Sequence, residues 1–286
     1  MRIGVIGYGT VGKAVVHTFL KKGVDCIFYD KFVKCDATLA QLCETCELIF
    51  LALPTPEKDN AYDLSALLDV LGFLSDHDYN GVVLIKSTLL PGTTLSLHTR
   101  FSNLSLIHNP EFLTARTAQY DFEHPKQIIL GVINRIKLDT VDVVCDFFTV
   151  FFPDTPIQIC TSSESECTKI MCNAFYASKI QIFNEFYKYA ASKPGMDFDI
   201  IKKNMLNQGW INPMHTQVPG HDHQFSFGGA CLPKDTTALL GHMKYMNTPH
   251  LVLDAVLRER EQMRFDENTI IDFPRVSRET FVNTQY

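Results

Sequence analysis

No stretch of this sequence approaches the roughly 18 consecutive apolar residues that a membrane-spanning helix needs. The basic, apolar and small-residue segments of a secretion signal are also missing. The chain opens directly into the strand-like run Ile3-Gly4-Val5-Ile6, so a cytoplasmic protein with no membrane role is expected. Positive charge is not in surplus either: 26 Lys and Arg face 32 Asp and Glu, a net charge of -6. That leaves no basic field for a nucleic-acid backbone. There is no internal repeat and no low-complexity tract. Nine cysteines in a sequence without a secretion signal read as reduced thiols rather than a disulfide framework. Cys43 and Cys46 form a C-x-x-C pair, but no second pair completes a tetrahedral site, and no metal is expected. Cys167 and Cys172 fall in a helical pattern and read as small core residues.

What is present is ordinary globular material. With 286 residues, 46% hydrophobic and 20% charged, the chain can bury a substantial core in one large or two medium domains. Short apolar runs at 2–6, 26–29, 48–53, 82–85, 104–107 and 127–130 alternate with helical patterns. That rhythm implies βαβ units and a doubly wound parallel sheet of the α/β class. Ile157–Cys160 reads as a last strand. The pattern then changes: Glu166–Ala191 contains no Gly or Pro and has apolar spacing at Ile170, Ala174, Ala177 and Phe183, which predicts one long helix ended by Lys193-Pro194-Gly195. The expected organisation is a Rossmann-type domain over 1–162, an all-helical unit over 163–264 and a loosely ordered polar tail over 265–286. Asn207–Gly229, rich in Gly, Pro, His, Asn and Gln, reads as a long functional loop.

Gly7-Tyr8-Gly9-Thr10-Val11-Gly12 follows a strand and opens a helical pattern, the context in which G-x-G-x-x-G means a dinucleotide site. Gly7 permits the tight turn, Gly9 lets a pyrophosphate approach the backbone, and Gly12 allows close helix–strand packing. The helix N-terminus supplies free N–H groups to the anion. Asp30 ends the second strand-like run, where a carboxylate accepts from ribose hydroxyls and repels a 2′-phosphate, so NAD is expected rather than NADP. Leu53-Pro54-Thr55-Pro56 and Lys86-Ser87-Thr88 lie at the carboxyl ends of strands, where each is either a strand-ending turn or a ligand contact.

Cys231 stands between Gly228-Gly229 and Pro233, just before a helix N-terminus and near Lys234, a setting that lowers a thiol pKa. Lys169 and Asn173 are four apart on the long helix and share a face. They could hold an oxyanion or simply form a solvated helix face. Glu111, in Asn109-Pro110-Glu111-Phe112, could be a base or water positioner, or cap the next helix.

Taken together, G-Y-G-T-V-G, L-P-T-P, K-S-T-L-L-P-G-T-T, N-P-E-F-L, E-x-E-x-x-K-x-x-x-N, K-I-x-x-x-N-E and F-G-G-A-C-L-P-K-D resemble, in order, the motif set of the nucleotide-sugar 6-dehydrogenases, the UDP-glucose/GDP-mannose dehydrogenase family. The resemblance runs from Met1 to about Leu240. It implies NAD-dependent four-electron oxidation of a nucleotide sugar at C6, UDP-glucose by default, in which the aldehyde is captured by Cys231 as a thiohemiacetal and leaves as a hydrolysed thioester. By motif position, Lys169 and Asn173 steady the oxyanion, Asp235 assists proton transfer, and Thr88 and Glu111 place the water, with Glu111 as hydrolytic base. The cofactor contacts it implies are Gly7, Tyr8, Gly9, Thr10, Val11, Gly12, Asp30, Pro54, Thr55, Ser87, Thr88 and Lys234. The substrate contacts are Glu111, Phe112, Leu113, Lys169, Asn173, Phe227, Gly228 and Cys231. The family's central helical unit implies a homodimer.

The sequence departs from that pattern in three places. Ala115 stands where a second glutamate is usual, and His124-Pro125-Lys126-Gln127 replaces a P-D-R string. The sequence ends at Tyr286, short of the domain that grips the nucleotide in the family. Weak binding of nucleotide sugar is therefore expected unless a separate chain supplies that domain. The rival readings are a two-domain hydroxyacid or sugar dehydrogenase, which has no use for Cys231, and a non-catalytic NAD-binding subunit, which has no need of Cys231, Lys169, Asn173 and Asp235 together.

Overall fold

Apolar runs of four or five residues, most of them buried on both faces, form the strands of the first part of the chain. In a computed structural model describing residues 1–35, 37–133 and 138–264, the order begins β1 (Ile3–Ile6), α1 (Thr10–Lys21), β2 (Cys26–Tyr29), α2 (Leu39–Thr45) and β3 (Leu48–Leu51). A small hairpin follows, β4 (Glu57–Lys58) and β5 (Ala61–Tyr62), then α3 (Ser65–Asp76), β6 (Val82–Ile85), α4 (Thr93–Arg100) and β7 (Ser105–His108). The remaining elements are α5 (Ala118–Glu123), β8 (Ile128–Val132), α6 (Leu138–Phe151), β9 (Ile157–Thr161), α7 (Ser162–Ala191), α8 (Phe198–Asn207), α9 (Leu232–Tyr245) and α10 (Leu251–Arg264). The polar tail expected over 265–286 lies outside the described residues.

The sheet runs β2-β1-β3-β6-β7-β8-β9. Its first five strands pair in parallel, as βαβ alternation requires. The parallel sheet expected from the alternation is present with one antiparallel junction: β8 meets β7 antiparallel, at His108 and Gly131. The connection between them, residues 109–127, carries the six-residue helix α5. β9 then pairs parallel with β8.

Successive residues of each strand feed two cores. Val5, Phe50, Leu84, Ile107 and Leu130 pack with α1, α5 and α6 on one face, while Ile6, Ile49, Leu51, Val83 and Leu106 pack with α2, α3 and α4 on the other. This is the period of two that a pleated strand imposes. Phe19 is fully buried among the rings of Phe50, Phe122, Phe147, Phe151 and Phe152, with centroids 5.1–6.0 Å away.

Two compact units emerge, one from Met1 to Met171 and one beginning at Cys172. Helix α7 contributes to both. It starts a turn earlier than the apolar spacing indicates, because Thr161 and Glu164 cap it reciprocally: Glu164 Oε2 accepts from Thr161 N at 2.8 Å and Thr161 Oγ1 accepts from Glu164 N at 3.3 Å. Ile170, Ala174, Ala177 and Phe183 are all buried, as their spacing predicts. In the second unit Phe183, Ala190, Phe198 and Val218 form one cluster, and Ala177, Phe227 and Val256 another. Among the described residues no helix is long and apolar enough to cross a membrane, and no group of three or more His, Cys, Asp or Glu could hold a metal ion.

Candidate functional site

The strand order turns about β1 and β3, and a crevice at the carboxyl ends of such strands is where open α/β sheets bind ligands. The loop Gly7–Gly12 opens there. Gly7 has φ +96, and a Cβ on it would lie 2.4 Å from the Ala52 carbonyl oxygen; a Cβ on Gly12 would lie 1.8 Å from that of Gly7. Neither position admits a side chain. A Cβ on Gly9 would meet nothing within 4 Å, so the space above the middle glycine is open. Gly9 is the N-cap of α1, and no acidic residue sits in the first turn beside Thr10 and Val11, which leaves that helix end attractive to an anion.

Asp30 ties this loop to β2. Its carboxylate accepts from Tyr8 N at 2.7 Å, Phe32 N at 2.7 Å and Val33 N at 3.1 Å. Desolvation raises its pKa, but those three N–H groups and the Lys13 charge outweigh it and hold the carboxyl below its ordinary value. The Tyr8 ring stacks on Phe28 at 3.9 Å.

The strand-end turns are latched to each other. Thr55 Oγ1 donates to the Thr88 carbonyl at 2.9 Å, and Ser87 Oγ donates to the Leu53 carbonyl at 2.6 Å. Thr55, Ser87 and Thr88 are buried, whereas Pro54 is exposed. Lys86, which sequence reasoning treated only as part of this turn, is buried with its Nζ on Asn109 Oδ1 at 2.9 Å. Four apolar residues before a lysine at a strand end were the signal.

Glu111 and Lys169 form a nearly buried ion pair, Nζ to Oε1 3.2 Å, with side-chain exposures of 11% and 5%. Glu111 Oε2 accepts from Leu113 N at 2.6 Å, and Lys169 Nζ lies 5.3 Å from the centroid of the half-exposed Phe112 ring. Lys169 is therefore not on a solvated face, and Glu111 is not a helix cap, since Thr117 holds the N-cap of α5. Glu166 of the same motif, missed as a functional position, takes Gly92 N at 2.6 Å, Thr94 N at 2.7 Å and Thr94 Oγ1 at 2.6 Å. It anchors the N-terminus of α4.

In the second unit Cys231 is the exposed N-cap of α9, with Pro233 in the first turn and no side-chain cap bond. Asp235 N donates to the Cys231 carbonyl at 3.0 Å. The Asp235 side chain is fully buried and accepts from Asn173 Nδ2 at 2.6 Å and Lys234 Nζ at 2.5 Å. Three of the predicted residues thus meet one helical turn behind the thiol.

The segment before Cys231 is held by arginines that the sequence reading did not single out. Arg260 Nε donates to the Phe227 carbonyl at 3.0 Å and Arg264 Nε to the Phe225 carbonyl at 2.9 Å. A Cβ on Gly228 would fall 2.3 Å from the Arg264 guanidinium. The Phe227 ring is buried, which leaves its backbone for any contact with a ligand. Farther back, Lys179 Nζ donates to the Met214 carbonyl at 2.7 Å and to the Asn212 carbonyl, and His215 stacks on Tyr176 at 4.7 Å. Trp210 is 92% exposed, and His221 and His223 are exposed as well.

Residues 31–148 match the UDP-glucose/GDP-mannose dehydrogenase family NAD binding domain, and residues 163–261 match that family's central domain. UDP-glucose 6-dehydrogenase of Campylobacter jejuni is 28% identical over 229 residues, 74% of this chain and 52% of the relative. GDP-mannose 6-dehydrogenase of Pseudomonas aeruginosa is 27% identical over 249 residues, 80% of this chain and 55% of the relative. The chain spans about half the length of these curated relatives. A UDP-glucose dehydrogenase from Pyrobaculum islandicum superposes with a TM-score of 0.78 at 21% identity, covering 91% of this chain and 68% of that one, which shows the fold.

Proposed function

The chain belongs to the UDP-glucose/GDP-mannose dehydrogenase family of NAD-dependent nucleotide-sugar dehydrogenases, and on that premise we propose that it oxidises a nucleotide sugar at C6 to the uronic acid through Cys231. The observation that carries this reading is the exposed thiol at the α9 N-cap, backed by a buried Asp235 that Asn173 and Lys234 hold in place. UDP-glucose is the proposed sugar nucleotide and GDP-mannose the alternative, since relatives bear both names.

The loop geometry fits NAD. Gly9 offers open space, Gly7 and Gly12 tolerate no side chain, and Asp30 braces the loop from β2. Two NAD molecules bound in succession each supply the acceptor for one of the two hydrides that leave the sugar carbon. The chain's own residues do the rest. Cys231 Sγ bonds to the aldehyde carbon, and Lys169 and Asn173 steady the oxygen that gains charge in that addition. Asp235 assists proton transfer. Glu111, with Thr88, places water on the thioester carbon and takes its proton as Sγ leaves. Per sugar, two hydrides and three protons depart and one water oxygen is retained.

The test is stoichiometric: NADH formed per sugar consumed, across a panel of nucleotide sugars. Two NADH and one uronic acid per sugar are expected, together with a Cys231 acyl adduct visible by mass spectrometry after rapid quench. A yield of one, or full yield from Cys231→Ser, overturns the reading.

A further inference from the structure

Lys86 is the buried cation to which the reaction above gives no task. It follows the four buried residues of β6, has 6% of its surface exposed, donates to Asn109 Oδ1 at 2.9 Å and lies 5.5 Å from the Phe122 ring. Asn109 is itself locked, Nδ2 to the Ile129 carbonyl at 2.8 Å and backbone N to the Ile85 carbonyl at 2.8 Å. Two residues on stands Glu111, with one oxygen on Lys169 and the other on the Leu113 amide. Two buried lysines thus hold one turn, Lys86 through Asn109 and Lys169 through Glu111.

The Lys86 neighbours Phe122 and His108 add no negative charge. Phe122 offers a ring, and His108 has Nδ1 at 2.8 Å from Ser165 Oγ and Nε2 at 3.3 Å from the Ser87 carbonyl. Burial pushes the His108 pKa down to about 3, so that ring is neutral. Burial likewise pushes Lys86 down to about 7; Glu111 opposes the shift and Lys169 adds to it. A buried lysine with one neutral acceptor is costly, and a strand end alone does not call for one.

We propose that Lys86 is a positioning residue for Glu111: it holds the Asn109-Pro110-Glu111 turn through Asn109 Oδ1, while Lys169 holds the Glu111 carboxylate of the same turn, so that the charge of Lys86 is tied to that of Glu111. When Lys86 is protonated the trio carries a net positive charge; when Lys86 gives up its proton, only the neutral Lys169–Glu111 pair remains. The catalytic part of this inference rests on Glu111 being the hydrolytic base; the charge linkage does not.

The linkage is tested without substrate, on full-length chain labelled with 13Cε-lysine, Lys86→Arg identifying the resonance. A midpoint near 7 is expected; Glu111→Gln should lower it and Lys169→Met should raise it. A midpoint in the ordinary lysine range near 10, or no response to Glu111→Gln, overturns the linkage. The positioning role is read from single-turnover acid release starting at the aldehyde. Lys86→Met should slow hydrolysis about 100-fold through misplacement. Lys86→Gln, which keeps a donor to Asn109 without charge, should retain most of the rate while losing the inflection near 7 that Lys86 gives the wild-type pH profile. Unmoved profiles in both variants overturn the positioning role. An inactive wild type with the expected midpoints would sink the proposed function and support the linkage.

Discussion

Asn173 donates to Asp235 Oδ2 at 2.6 Å, and both side chains are buried at the start of α9. The carboxylate has Lys234 on its other oxygen, so Asn173 supplies one of the two named donors that stabilise a charge removed from water. Asn173→Ala should lower unfolding stability by about 1–3 kcal/mol and, if the amide also steadies an oxyanion, kcat by about 100-fold. Urea denaturation and initial rates check the two effects separately. An alanine variant matching wild type in both would show the contact to be incidental.

Gly9 and Gly12 should separate binding from folding. Gly12→Ala drives a methyl onto the Gly7 carbonyl and is expected to unfold or distort the loop. Gly9→Ala meets no protein atom and weakens only the N-cap, by about 1 kcal/mol or less. NAD affinity should nevertheless fall at least tenfold, because the methyl occupies the space a pyrophosphate needs. Calorimetric NAD titration of both variants decides, and unchanged affinity in Gly9→Ala counts against the cofactor site.

Asp30 should give NAD a preference over NADP of more than about 1.4 kcal/mol, tenfold, since a 2′-phosphate would meet its carboxylate. Asp30→Ala should lose NAD affinity rather than merely gain NADP, because it also removes the acceptor for Tyr8 N. Equal kcat/KM for the two cofactors in the wild type would defeat this.

Along α7, Phe175, Ile182, Phe186 and Tyr189 remain 64%, 42%, 42% and 62% exposed, a helical stripe of apolar surface that a monomer rarely leaves in water. A homodimer through this face is expected. Light scattering should report twice the chain mass for wild type and the single mass for Phe175→Asp/Phe186→Asp. A monomeric wild type ends the idea.

A side-chain hydrogen bond with Glu259 on α10, then desolvation, then the Glu259 charge raise the pKa of Glu185 on α7 to about 7 from the usual 4.5. An acid with a raised folded pKa holds its proton more tightly when folded, so its contribution is complete below about 4.5 and fades as pH rises through 7. Thermal midpoints should therefore fall between pH 5 and 8 by more in wild type than in Glu185→Gln. Parallel curves would show that the Glu185 carboxyl is not held protonated in the folded chain.

Much of this was legible in the sequence because strong local rules agreed. Cys26–Tyr29 and Val82–Ile85 were bounded correctly, since runs of β-branched and aromatic residues between turns leave little choice. The spacing Ile170, Ala174, Ala177, Phe183 marked the buried face of α7. Illegible were contacts made at long range. The Glu57–Tyr62 hairpin has two-residue strands that bury almost nothing, and its only sign was Asp59-Asn60, both at positive φ. Lys86, Glu166 and Arg264 act on backbone or side chains that no periodicity brings near them. The reversal at β8 left no mark on the strand's own residues, because the period of two is the same in parallel and antiparallel strands.

Glu166 has a consequence for how the protein is made. The N-terminus of α4 is completed by a residue 72 positions later, and a Cβ on Gly131 of β8 would lie 2.4 Å from the Ser165 Cβ. During synthesis, at roughly 5–20 residues per second, the sheet emerges with those partners still inside the ribosome. It reaches its final form only once the opening turns of α7 are out. A free chain truncated after Thr161 carries β1 to β9 and should still be open to protease at Gly92–Thr94, and closing that cleavage site should need the opening turns of α7 rather than a new strand.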